Sequence, residues 1–185
     1  MKTFLPVATL LALGFASAQA APGAAAPTSW LGQKVDPAQT TFCRTHGCRL
    51  VTVRQNGEGT MGWHDGTQRT YRLGDGSQMQ VEVRPQGWIS TARLLTKGQP
   101  QKNGTTAMNP AHYPLAAEFL SAVTGRRFSA EKIAACEQAG VALNDPEVYG
   151  PAAPLSHWTT PGGLPYRARC GINSQVGVWA GWQQA

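Results

Sequence analysis

Residues 78–84 read Gln-Met-Gln-Val-Glu-Val-Arg, and apolar and polar side chains alternate through the whole stretch. This period of two predicts a β-strand that buries Met79, Val81 and Val83 and leaves the polar side chains in water. A strand with one buried and one wet face is typical of an antiparallel sheet. The stretch therefore predicts a sheet that is covered on one side only.

Strand character recurs on both sides of this stretch. A β-branched run at 49–54 ends at the turn signal Asn56-Gly57, and Asp75-Gly76 can form the turn that joins 69–73 to 78–84. Residues 88–95 and 175–182 also read as strands. We therefore expect an antiparallel sheet of about four strands.

Two helices are predicted between the strand at 88–95 and the last strand at 175–182. The first has Pro114 in its first turn and Gly125 as a left-handed cap. The second begins at the N-cap residue Ser129 and ends at Gly140. Because strands come first and helices follow, the expected fold class is α+β, with the two helices packed on one face of the sheet.

Two long segments show no regular period. The polar stretch after Lys97 reads as a surface loop. Residues 144–160 are so rich in proline that we expect an extended surface crossing without a regular element. Neither segment is expected to contribute to the sheet.

The chain has four cysteines, which we expect to form two disulfides, Cys43–Cys48 and Cys136–Cys170. The first pair can close a short loop, and the second would join the second helix to the C-terminal strand. An alternative is a soft-metal site made by Cys43, His46 and Cys48, but the spacing does not fit a zinc knuckle. We therefore predict no metal and no cofactor.

The N-terminus predicts export. Residues 1–20 combine an early lysine, an apolar block and a small-residue ending, as secretory signal peptides do. Residues 21–29 have the composition of a disordered spacer, and 30–185 are predicted to form a single exported α+β domain. No transmembrane segment is expected, so the mature protein would be periplasmic or extracellular.

The formal net charge is +6, and it falls to +5 when Lys2 leaves with the leader. The basic residues are spread along the chain rather than clustered, which argues against a nucleic-acid partner. The same charge favours acidic surfaces. Candidate partners are an anionic envelope polymer, a glycan or an exported protein.

Sequence motifs do not assign a catalytic residue. The first hypothesis is a non-enzymatic exported binding module whose contact loops carry Trp63, His64, His157 and Trp158, because recognition often lies in loops on a rigid scaffold. The alternative is a small secreted hydrolase with a site around His64 and Asp65. Glutamates of the helices are expected on solvated faces, and they are Glu118, Glu131 and Glu137.

Overall fold

A computed structural model describes residues 29–56, 66–143, 151–159 and 163–182. The predicted signal peptide and all but the last residue of the predicted spacer lie outside these ranges. The strands are β1 Arg49–Asn56, β2 Gly66–Arg72, β3 Gln78–Val83, β4 Ile89–Leu95, β5 Gly98–Pro100, β6 Thr106–Met108, β7 Pro151–Thr159, β8 Pro165–Gly171 and β9 Gly177–Trp182. The α-helices are α1 Thr41–His46, α2 Tyr113–Thr124 and α3 Ala130–Leu143.

The main sheet has seven strands in the order β1-β2-β3-β4-β9-β8-β7, and β5 and β6 form a separate pair. Every pairing between these strands is antiparallel, and Leu31 adds an isolated parallel bridge to Ile89 of β4. The expected α+β class is confirmed. The expectation of about four strands with two helices on one face was wrong in detail, because the described residues form seven strands in the main sheet, an extra hairpin and three α-helices.

One face of the sheet is buried in the core. Met79, Val81 and Val83 are buried, as the alternation predicted. The pairing carries this face across the sheet from Val81 to Ala92, and then from Ala180 to Ala168. Because directly paired residues point to the same side, the side chains between these positions form the opposite face.

The helices are built as the local signals predicted, with one exception. Gly125 caps α2 in the left-handed conformation at φ 68°, and the Ser129 hydroxyl accepts the amide of Lys132 at the start of α3. The predicted end of α3 at Gly140 was wrong, because the helix continues to Leu143. The Asn103 side chain donates to the carbonyl of Val141 at 3.0 Å and so satisfies one backbone acceptor near this end.

The proline-rich segment was also predicted wrongly, because part of it forms the strand β7. This strand lies at the edge of the sheet, where a missing proline N–H is tolerated. Its pairing with β8 is irregular between Pro151 and Ala153 and again between Pro154 and Ser156. Both irregularities lie next to a proline, and the edge position accommodates these prolines within a strand.

Both expected disulfides are present, and they link Cys43 to Cys48 and Cys136 to Cys170. The longer one joins α3 to β8, not to the last strand, and it ties α3 to the buried face. A cluster of edge-on aromatic rings packs in the same core, with Phe42 and Phe119 centroids 5.5 Å apart. Among the described residues, no helix is long and apolar enough to cross a membrane.

Candidate functional site

An indole and two guanidinium groups meet on the face of the sheet opposite the core. Trp179 of β9 pairs directly with Arg169 of β8, and Arg167 lies two residues away on the same strand. The guanidinium carbons of Arg167 and Arg169 are 5.8 Å and 5.7 Å from the indole centroid. These distances are within the range of cation–π attraction. The two arginines therefore help to orient Trp179.

Gly181 gives the indole room to lie along the sheet. A Cβ at this position would come within 2.9 Å of Trp179 Cζ2 and 2.8 Å of Thr91 Oγ1. Real Cβ atoms do not approach other atoms so closely, so any side chain at position 181 would push the indole away. A glycine inside a strand often marks such a close approach, and here the approaching group is an aromatic ring.

The same face is strongly basic. By register it carries six arginines and a single acid, Glu82, among the described strand residues. Those arginines are Arg49, Arg54, Arg72, Arg93, Arg167 and Arg169. Glu82 is engaged by Arg93 at 3.5 Å. No carboxylate of the described residues forms a salt bridge with Arg167 or Arg169.

The residues predicted to bind a partner separate in the structure. His157 is exposed and pairs with Arg167, so it belongs to the basic face. Trp158 points to the opposite side, where it stacks on Tyr166 at 6.0 Å between centroids and lies 5.3 Å from the Arg126 guanidinium carbon. Trp63, His64 and Asp65 lie outside the described residues.

His112, Asp75 and Ser77 lie together but do not form a hydrolytic triad. His112 Nε2 lies 3.8 Å from Asp75 Oδ2, and the same carboxylate oxygen accepts the hydroxyl of Ser77 at 2.9 Å. A triad needs the imidazole between the hydroxyl and the carboxylate, so that it can take the proton. Here the carboxylate stands in the middle. Asp75 also accepts the backbone N–H of Ser77, which makes this a turn motif.

A cavity of about 540 Å³ lies between the β5–β6 hairpin and α3. Glu137 lines it with a side chain that is only 1% exposed. Glu137 Oε2 accepts the amide of Met108 at 3.0 Å, whereas Oε1 accepts no hydrogen bond from the described residues. The expectation that this glutamate lies on a solvated face was wrong.

Burial changes the acidity of this carboxyl group. Loss of hydration raises the pKa of Glu137 to about 7, and the hydrogen bond from Met108 opposes part of the rise. The pKa of Tyr113, which lines the same cavity, is also raised, first by burial and then by the charge of Glu137. The carboxyl group therefore changes charge close to neutral pH.

This raised pKa predicts a pH-dependent stability. The unfolded chain loses the proton near the ordinary value of 4.5, and the folded protein keeps it until about 7. The contribution of Glu137 to stability is therefore fully present below pH 4.5, and about 3 kcal/mol of it is lost as pH rises through this window. We expect Glu137→Gln to remove this contribution, as measured by urea unfolding at pH 4.5 and pH 8. Glu131→Gln, on the exposed side of the same helix, should not reduce the loss of stability between pH 4.5 and pH 8, because the hydrogen bond with Ser129 lowers the pKa of Glu131 rather than raising it.

Comparisons with protein-family models, with curated proteins and with solved structures find no match to this chain. The described residues also contain no group of three or more histidine, cysteine or acidic side chains that could hold a metal ion. Two features of the described residues could bind a ligand, and they are the basic sheet face and the cavity at Glu137.

Proposed function

We propose that this protein is a non-enzymatic exported binding module that takes an anionic polysaccharide on its basic sheet face. The observation that supports this most strongly is Trp179, whose indole lies flanked by Arg167 and Arg169. An aromatic ring offers a stacking surface for a sugar ring, and guanidinium groups pair with carboxylate or phosphate.

The distribution of charge suits a polymer better than a small ligand. From Arg54 on β1 to Arg167 on β8 there are five strand steps, which at about 4.8 Å each span about 24 Å. Several anionic groups of one chain could pair along this distance. Since Glu82 is the one acid among the described strand residues of this face, little on the face would repel such a chain.

The two disulfides are compatible with an oxidising compartment outside the cytosol, as the predicted signal peptide requires. Anionic polysaccharides of the envelope or the extracellular space would then be accessible to the domain. The hydrolase hypothesis rested on His64 and Asp65, which lie outside the described residues, so it stays an untested alternative.

Binding can be tested with three polymers that separate charge from sugar recognition. We expect polygalacturonate to bind, neutral dextran not to bind, and polyglutamate to bind more weakly because it has charge without sugar rings. Trp179→Ala should weaken polygalacturonate binding about tenfold and leave polyglutamate binding nearly unchanged. Isothermal titration calorimetry at two salt concentrations measures both effects.

A double variant tests the contribution of charge. Arg167→Gln with Arg169→Gln should weaken both anionic polymers and flatten the dependence of affinity on salt. The matched control removes two exposed charges elsewhere, by Arg44→Gln with Arg127→Gln, and should bind as the wild type does. If the two double variants lose equal affinity for the anionic polymers, binding depends only on the net charge of the protein. The proposed binding face would then be rejected.

A further inference from the structure

The cavity between the β5–β6 hairpin and α3 has the features of a small-molecule site separate from the basic sheet face. Its volume of about 540 Å³ lies within the range of ordinary ligand pockets. Its lining has about equal numbers of polar and apolar side chains, so it is more polar than most small-molecule pockets. Residues from the hairpin, from α2 and from α3 all contribute to it.

Most polar side chains of this lining are amides, and the others are one carboxyl group and one tyrosine hydroxyl. Gln99, Gln101 and Asn103 come from the hairpin, and Tyr113 reaches the cavity from α2. The Asn103 and Gln101 amide nitrogens donate to backbone carbonyls, so these two side chains are held in place. Glu137 is the one carboxyl group of the lining, and no cationic side chain of the described lining residues faces it.

Glu137 has one satisfied oxygen and one unsatisfied oxygen. Oε2 is held by the amide of Met108, and this hydrogen bond fixes the carboxyl group between β6 and α3. Oε1 is buried and accepts nothing from the described residues. A buried carboxylate oxygen without a donor is costly, and a positively charged donor compensates for it best.

We propose that this cavity binds a small organic ammonium compound, with the ammonium group donating to Glu137 Oε1 and the apolar body lying against the lining. The carboxyl group is covered, so part of the lining must move aside as the ligand enters. Met108 suits this role, because methionine is unbranched and adapts its conformation easily. The site is independent of the sheet face, and failure of either proposal leaves the other standing.

The proposal predicts that binding and deprotonation are coupled. An ammonium group favours the charged carboxylate, so ligand binding at pH 7 should release about half a proton from a group that titrates near 7. Tyr113 is the other titratable group of the described lining, and its raised pKa keeps it neutral in this range. Affinity should therefore increase as pH rises from 6 to 8.

The probes are two primary amines with their matched alcohols: hexylamine with hexanol, and 2-phenylethylamine with 2-phenylethanol. We expect at least one amine to raise the midpoint temperature of thermal unfolding of the mature protein. At the same concentration, its matched alcohol should raise this temperature at least tenfold less. Calorimetry in buffers of different ionisation enthalpy counts the protons released. The carboxyl carbon resonance of Glu137 should shift on titration with that amine.

Two variants and one control test whether Glu137 binds the ammonium group in this cavity. Glu137→Gln should abolish both proton release and the preference for the amine, and Val141→Trp should block the cavity while leaving the carboxyl group in place. Glu131→Gln on the same helix should behave as the wild type. Equal binding of amines and alcohols, no binding of either amine, or undiminished amine binding by Glu137→Gln would overturn the proposal, and the carboxyl group would then serve only to anchor Met108.

Discussion

Replacing Gly177 by alanine should destabilise the protein by about 4 kcal/mol or more, a loss that few single substitutions reach. Gly177 opens β9 with φ 153°, and a Cβ there would overlap the carbonyl oxygen of Leu94 and lie 2.9 Å from its carbon. These atoms belong to the backbone of β4, so they cannot move aside like a flexible side chain. The substitution must separate the two strands at the centre of the sheet.

Urea unfolding followed by tryptophan fluorescence measures this loss. The matched control is Gly76→Ala, because Gly76 also has a positive φ, 87°, but nothing lies within 4 Å of its added Cβ. The control should cost only about 1–2 kcal/mol, which is the price of the backbone conformation alone. Equal costs for the two variants would contradict the close approach between β4 and β9.

The parts of the fold that sequence reasoning predicted are those with strong local signals. The alternation of Met79, Val81 and Val83 placed β3 with the correct buried face, and Gly125 ended α2 as expected. The disulfide pairing followed from an even cysteine count and a short loop at Cys43–Cys48. Each of these signals spans only a few residues, so no knowledge of the tertiary fold was needed.

Strand β8 was missed although its sequence carries a usable pattern. Tyr166, Ala168 and Cys170 are buried and alternate with the half-buried Arg167 and Arg169. This is the same period of two that identified β3, but the large cationic side chains hide it when only hydrophobic runs are sought. The alternation would have predicted both the strand and the side on which the arginines lie.

The basic sheet face could not be assembled from sequence alone. Arg93 and Trp179 are 86 residues apart in sequence, yet they are direct partners in the β4–β9 pairing. Nothing local predicts that the last strand inserts between β4 and β8. Such non-local pairings depend on the packing of the whole sheet, which periodicity does not specify.

The prediction that Glu137 lies on a solvated face was wrong for a different reason. It followed the usual exposure of glutamate and not the helical pattern of buried positions. Ile133, Cys136, Glu137 and Gly140 occupy positions i, i+3, i+4 and i+7, and all four are buried. That spacing defines one face of a helix. Glutamate is usually exposed, but the periodicity of this helix already predicted that position 137 is buried.

Removing the longer disulfide, by Cys136→Ala with Cys170→Ala, should cost about 4 kcal/mol, because the bond closes a loop of 34 residues that the unfolded chain would otherwise explore freely. The matched control is Cys43→Ala with Cys48→Ala, whose separation is only 5 residues and whose expected cost is about 2 kcal/mol. Urea unfolding under non-reducing conditions compares the two double variants. A larger loss from the short loop would show that loop entropy does not govern these bonds.

The longer disulfide should also matter for both candidate sites. Cys136 adjoins Glu137 in α3, and Cys170 adjoins Arg169 in β8, so one covalent bond fixes the cavity lining and the basic sheet face relative to each other. In the double variant that lacks it, hydrogen exchange should therefore accelerate in α3 and in β8 together, because both lose the same restraint. In the short-loop variant the acceleration should be confined to α1 and its neighbours. If α3 and β8 stay protected after the longer bond is removed, packing alone holds the two sites in place.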